Sequence, residues 1–582
     1  MKKRGLLGLT LTGALVLLVA VSLTIPVWAA SKAEPWAVWD YSKEKPVRGG
    51  YYRTAGARDV GLLNPNHWPV NDWLVINFFF EKFLITDGNY RPVPWMVESW
   101  SYPDSLTCIM KLKKGITYHD GAKFNAEAVK YQIDWIKDKK NGAWSRAWIE
   151  PIKGVEVVDE YTVKWTFKRQ WAAFLGIIAN VPGYAISPNA LKGDVLLTQA
   201  SKAVKKAAKL KAKAAKGEKE KKAYEKAQAL ADKLAAQAKG LKKTDVMPVG
   251  TGKWILEERS PGNFIKVKRN PNWWFGKSIG HPDMPYYDGR LQTIIPDPSV
   301  QLANLRSGKI DSMTLSKSQY QQVAKDENLK AYIGPVNHVR AMRFNHKSGP
   351  CKDIRVRKAI SHAIDRRALV VGTEFGMGRV ASVMYPDDHW AHNPNLKPVK
   401  YDPELSKKLL AEAGYPNGLT VKGYMLNNPT VMNWTEAIKN MLDRVNINWE
   451  VESLDSVAIS DRMKNLEYDF GGGGWTWIYD PDLMATGLYH PDGGFNYGRS
   501  NNEKAIELII AGRKEVDLIK RQKIYWELEK VLYENYEDAW LWWEMWPSAY
   551  SKNVAGYNHK MSVRHKEIWS WSHPTWFRDG KP

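Results

Sequence analysis

Apolar and polar residues alternate through "LTCIMKLKKG", which sets Leu106, Cys108, Met110 and Leu112 on one side of a predicted strand. "YHDG" then turns the chain, and Asn125 stands where it would cap a helix striped by Val129, Ile133 and Ile136. "GVEVVDEYTVKWTF" predicts a hairpin that turns at Asp159-Glu160 and returns with Val163, Trp165 and Phe167 alternating. Further along, "DIRVRKAISHAIDRRALV" and "YDPELSKKLLAEAG" carry helical spacing, the second closed by Gly414. Strands, hairpins and helices mixed in this way predict an α/β or α+β architecture, not a bundle or solenoid.

Two stretches break the pattern. In "GGGGWTWIYDPD", Gly471 to Asp482, four bare residues precede aromatics at alternate positions. Extended backbone would place Trp475, Trp477 and Tyr479 on one side and Thr476, Ile478 and Asp480 on the other. From about Lys192 to Lys243 the text is rich in Ala and Lys and lacks Pro, so it predicts two helices doubling back near Gly217. Leu210, Leu230, Leu234 and Leu241 are too sparse for a deep core, so a solvated decoration is expected. A docking arm for a partner or an anionic surface is the alternative.

Composition sharpens both points. The 582 residues allow two or three domains, and 28 Trp against 14 Phe is a surplus of flat rings that each carry one donor. The net charge of +23 would suit a nucleic-acid partner, but residues 201–243 hold fifteen Lys against four acids, so much of it sits in one appendage. That appendage lacks interleaved aromatics, and no nucleic-acid partner is expected. At the N-terminus "MKKRGLLGLTLTGALVLLVAVSLTIPVWAAS" combines a basic cluster, an apolar run and a cleavage site at Val27-Trp28-Ala29. Residues 1–29 therefore predict a signal peptide, with an uncleaved anchor as the alternative. No Cys follows the run, which speaks against a lipid anchor. Cys108 and Cys351 are the only cysteines and are expected to be buried and unbridged.

No H-E-x-x-H or P-loop is present, "GKSIG" lacking the upstream glycine pattern, and there is no metal-ligand spacing. An exported polysaccharide-acting enzyme needs two carboxylates at fixed separation; spacing alone neither supplies nor excludes such a pair. No catalytic residue, metal or cofactor is assigned.

Four ordered segments resemble one family. "ESWSYPDSLTCIMKLKKGITYHDGAKFNAEAVKYQIDWI", "VGTGKWILEERSPGNFIKVKRNPNWW", "MRFNHKSGPCKDIRVRKAISHAIDRRALV" and "YDPELSKKLLAEAGYPNG" are similar to the ABC-importer solute-binding proteins of the oligopeptide, dipeptide and nickel class. The resemblance implies a two-lobed, three-domain, periplasmic-binding-protein-like α/β fold, working as an extracytoplasmic or periplasmic monomer. A discontinuous first domain would take 46–72, 181–300 and 546–582, with the helical hairpin 192–243 inserted. The second would be 73–180 and the third 301–545. The lobes would close on a small-molecule ligand and present it to an ABC permease and its ATPase.

Within that resemblance Trp475 matches the family's cavity Trp. Peptide-binding members carry an Asp three residues on, where this chain has Ile478; Asp480 is two further along. Removing the carboxylate from a buried ammonium pair costs about 3–5 kcal/mol. The expectation is thus an uncharged, polyhydroxylated ligand, a short oligosaccharide stacked on Trp475, Trp477 and Tyr479, with an oligopeptide as the alternative. Further candidate contacts are Thr476, Asp480, Asn66, Trp68, Trp73, Asn345, Trp390, Tyr497, Arg499 and Trp543, while Trp254, Trp273 and Trp274 are assigned to packing.

Overall fold

The structure, a computed structural model, describes residues 44–67, 73–476, 480–557 and 575–581. Among them, nine strands form one mixed sheet whose path runs Phe470–Trp475, Leu329–Phe344, Asp538–Ser551, Ser312–Thr314, Tyr51–Gly56, Gly289–Ile294, Phe264–Arg269 and Trp254–Ser260, with Gly378–Val380 paired beside Asp538–Ser551. Tyr51–Gly56 runs parallel to both neighbours, and the other pairings are antiparallel. Leu329–Phe344 and Asp538–Ser551 are long enough to tie the two ends together. Their register slips twice between Ile333 and His338, where a bulge weakens the ladder and permits bending.

The predicted local elements are present. Asn125 accepts from the Ala128 amide and starts the helix Ala126–Lys137. The hairpin is Ile152–Asp159 with Thr162–Phe167, inside a four-stranded antiparallel sheet. Cys108, Met110 and Leu112 are buried on that sheet, but Leu106 lies outside the strand and is exposed. "DIRVRKAISHAIDRRALV" forms two helices, Ile354–Ala363 and Arg366–Thr373, because Asp365 leaves helical geometry and caps the second through the Ala368 amide. Gly414 follows Pro403–Glu412 at φ +94°, a left-handed position that suits glycine.

The tryptophan strand Asp538–Ser551 departs from simple alternation. Its partner Arg340 faces Trp542 and Ala341 faces Trp540, so Leu541 is the extra residue of a bulge. As a result Leu541 and Trp542 both enter one core, with Trp434 edge-on to Trp542, while Trp540 and Trp543 enter the other. Cys108 and Cys351 are buried and unbridged, and burial raises both thiols.

The Ala/Lys stretch is a helical hairpin of Pro188–Lys211 and Glu218–Gln237, turned at Gly217. Its seam is not leucine. Ala203, Ala207, Ala227 and Ala231 are buried between the helices, with Leu210 and Leu234 half-buried beside them; Leu230 and Leu241 are exposed. No helix among the described residues is long and apolar enough to cross a membrane.

Candidate ligand-binding site

The glycine run is a strand, Phe470–Trp475, lying against Leu329–Phe344. Most of its bareness is consumed by the protein itself. A Cβ on Gly471 would sit 2.7 Å from the Tyr424 ring, on Gly472 2.6 Å from the Met425 sulfur, and on Gly474 2.3 Å from His338 Nε2. Only Gly473 has room, its nearest neighbour being Arg343 Nη2 at 3.7 Å. The strand ends at Trp475, and Thr476 follows as an exposed residue outside it.

Trp475 is 7% exposed and packs with Val339, Trp540 and Trp543. Phe495 meets its ring edge-on at 5.2 Å, and Gly487 passes close enough that a Cβ there would lie 3.0 Å from the indole. The expected open stacking platform is therefore corrected: this ring is held between protein surfaces. Trp477 and Tyr479, like Trp68, lie outside the described residues.

Asp480 is also committed. It caps the helix Pro481–Tyr489, accepting from the Asp482 amide at 2.9 Å. Both its oxygens receive Arg521, Nη1 to Oδ2 and Nη2 to Oδ1, each at 2.7 Å. The guanidinium lies beside the Trp390 and Tyr525 rings, and its Nε donates to Gly512 O. Burial opposes the charge of Arg521, yet Asp480 raises its pKa above the ordinary value. Asp480 thus has no free carboxylate to offer a ligand, because releasing it would strand a buried charge. Asp482, raised by burial and lowered by Arg513, receives Arg513 Nε at 3.0 Å.

This corner touches the four-stranded unit. A Cβ on Gly176 would come within 2.5 Å of Asp480 Cβ, and the Ala172 amide donates to Arg513 O at 2.7 Å. A second contact joins the same two parts. The Tyr90 ring stacks on His389 at 5.1 Å, Asn89 Nδ2 donates to Asp388 O, and the Trp390 amide donates to Asn89 O. Asp480 is therefore held at a place where both parts meet.

The other candidates serve turns and cores. Asn345 uses its whole amide: Nδ2 donates to Ser348 Oγ and Tyr468 O, and Oδ1 accepts from the Lys347 and Ser348 amides. Asn66 accepts from Ser145 Oγ and its own amide donates to Asn64 Oδ1. Trp390 is buried against Tyr525, and Trp543 lies in the core beside Trp475. Arg499, at φ +57°, donates to Asn496 O and Lys464 O. Tyr497 is half-buried, edge-on to Phe495, and Trp73 opens the helix Trp73–Phe79. Trp254 is buried, and the indoles of Trp273 and Trp274 donate to the two oxygens of Glu81, whose carboxyl burial pushes up to about 7. The "YHDG" histidine, His119, donates from Nε2 to Gly252 O, and burial lowers it to about 4.

Arg521 and Gly176 are absent from the sequence reading. A signal exists for the first: Leu518, Arg521, Tyr525, Leu528 and Leu532 share one helical face, so the pattern itself buries a cation. Gly176 shows nothing until its neighbour is known. Among the described residues no group of His, Cys, Asp and Glu could hold a metal ion.

Residues 91–496, more than half of the chain, match the family described as bacterial extracellular solute-binding proteins, family 5. The chain belongs to this family. Glutathione-binding protein GsiB of Escherichia coli K12 is 25% identical over 510 residues, covering 84% of this chain and 88% of that protein. Two solved structures share the fold. The periplasmic binding protein DppA of Helicobacter pylori, in complex with the peptide STSA, has a TM-score of 0.68 at 20% identity over 92% of this chain and all of that one. NikA of Brucella suis, in complex with Fe(III)-EDTA, has a TM-score of 0.72 at 20% identity, covering 89% and 98%. The family-5 chain is thus an ABC-importer solute-binding protein with a mixed α/β fold, a role of capture and not of catalysis. None of these relatives favours the expected oligosaccharide; the peptide alternative fits them better.

Proposed function

We propose that this family-5 protein captures a peptide-type solute between the part carrying residues 73–180 and the part carrying residues 301–545, and presents it to its permease. The observation that carries the reading is the match over 510 residues to glutathione-binding proteins, whose ligand is a tripeptide. The two contacts between these parts supply the means: a bridging ligand would favour the joined arrangement by its differential affinity. The three domains expected from the resemblance fit this scheme, with the bend at the Ile333–His338 slips.

Ile478 and the committed Asp480 add a condition. No carboxylate at these positions is free to hold the ligand's ammonium, so recognition rests on the peptide backbone and side chains. Calorimetric titration with glutathione, free di- to pentapeptides, their N-acetylated forms and short oligosaccharides tests this. Peptides should release heat, and acetylation should change affinity less than about threefold, where a lost buried ion pair would cost about 3–5 kcal/mol. The same two residues favour a second reading, an uncharged saccharide. Heat from saccharides alone would establish it and overturn the first.

A further inference from the structure

The helical arm is a separate body at its outer end. Its root is fastened: Ser187 caps the first helix, Leu191 and Asp194 are buried, and Asp194 takes both the amide and the hydroxyl of Thr244 from the returning chain. Between Ala200 and Ala238 the buried residues are the alanine seam alone. Ala203 and Ala207 on one helix, and Ala227 and Ala231 on the other, recur at i, i+4, so each helix spends its single apolar stripe on its partner.

The faces turned to water are rich in lysine. All fifteen lysines between residues 201 and 243 are exposed, and they face Glu218, Glu220, Glu225 and Asp232 for a net of +11, nearly half of the chain's +23. One ion pair relieves them among the described residues, Lys222 with Glu218 at 3.8 Å. Eleven of the lysines fall between Lys202 and Lys226, around the free turn. Such like-charge crowding destabilises an isolated hairpin, so it is costly unless an anionic surface offsets it.

The form of the arm selects the surface. Tyr224, half-buried, is its only aromatic residue, so bases have no stacking platform. Val204, Leu230 and Leu241 are exposed singly, so no apolar patch marks a protein interface. Flexible lysines pointing in every direction from a narrow rod need a fluid, laterally extended polyanion that requires no register. We propose that the arm rests on the anionic phospholipid headgroups of the membrane that carries the permease, holding the solute-binding protein close to it without inserting. This holds whichever solute is bound.

The test is co-sedimentation of the full chain with vesicles of phosphatidylcholine, with and without about 30% phosphatidylglycerol. Each lysine at such a surface contributes roughly fivefold in affinity. Replacing Lys205, Lys206, Lys209 and Lys213 by Gln together should weaken binding to the anionic vesicles by about 600-fold, with circular dichroism and solute affinity unchanged. Raising salt from about 50 to about 500 mM should release the unaltered protein. Wild-type binding by the quadruple variant, equal binding to both vesicle types, or tighter binding to a DNA duplex than to anionic vesicles would overturn the proposal.

Discussion

The glycine strand and the helical arm both rely on small residues, to opposite ends. At Gly471, Gly472 and Gly474 the missing Cβ lets Tyr424, Met425 and His338 press onto the sheet, building a dense wall behind Trp475. In the arm, Ala203, Ala207, Ala227 and Ala231 let two helices approach, and the space saved leaves a thin rod covered in lysine. Smallness in the strand serves burial of other residues. In the arm it serves exposure of charge. The first region should therefore be sensitive to every atom and the second tolerant of large changes.

The largest effect is expected at the corner that holds Asp480. Arg521→Ala leaves the Asp480 carboxylate buried without its partner and should cost about 3–5 kcal/mol in urea unfolding. Arg521→Met with Asp480→Asn together should cost much less, since neither charge is stranded. Trp475→Ala removes a ring packed against Phe495 and Gly487 and should cost about 3 kcal/mol by the same measurement. A loss under about 1 kcal/mol would return this ring to the ligand-stacking role expected from sequence.

Adjacent glycines give a finer contrast. Gly474→Ala drives a methyl into His338 and the Val339 carbonyl and should destabilise by about 1–3 kcal/mol. Gly473→Ala meets nothing nearer than 3.7 Å and should be neutral or up to about 1 kcal/mol stabilising. The smallest effect is expected in the arm: replacing residues 200–240 by a short glycine linker should leave solute affinity within about twofold. Lost affinity would bring the arm into the capture step.

Local patterns were legible where neighbours in sequence decide the outcome. The cap at Asn125, the hairpin at Asp159-Glu160 and the reversal at Gly217 each depend on a few adjacent residues. Long-range pairings were not. Asp480 looked like a free carboxylate because Arg521 lies 41 positions away, and Asn345 looked like a ligand contact because its turn closes through Tyr468. The bulge at Leu541 resets the alternation of the tryptophan strand, so period 2 misassigns which rings share a face. The arm's alanine seam was missed for another reason: leucines were sought as the core, and helices that pack this closely have no room for them.

Two parts of the chain, meeting at Gly176–Asp480 and at Tyr90–His389, are expected to come together on a peptide. Small-angle scattering of the purified protein, before and after saturation with a peptide that releases heat on titration, tests it most directly. The radius of gyration should be smaller with the peptide bound. Superimposable profiles at full saturation would contradict it.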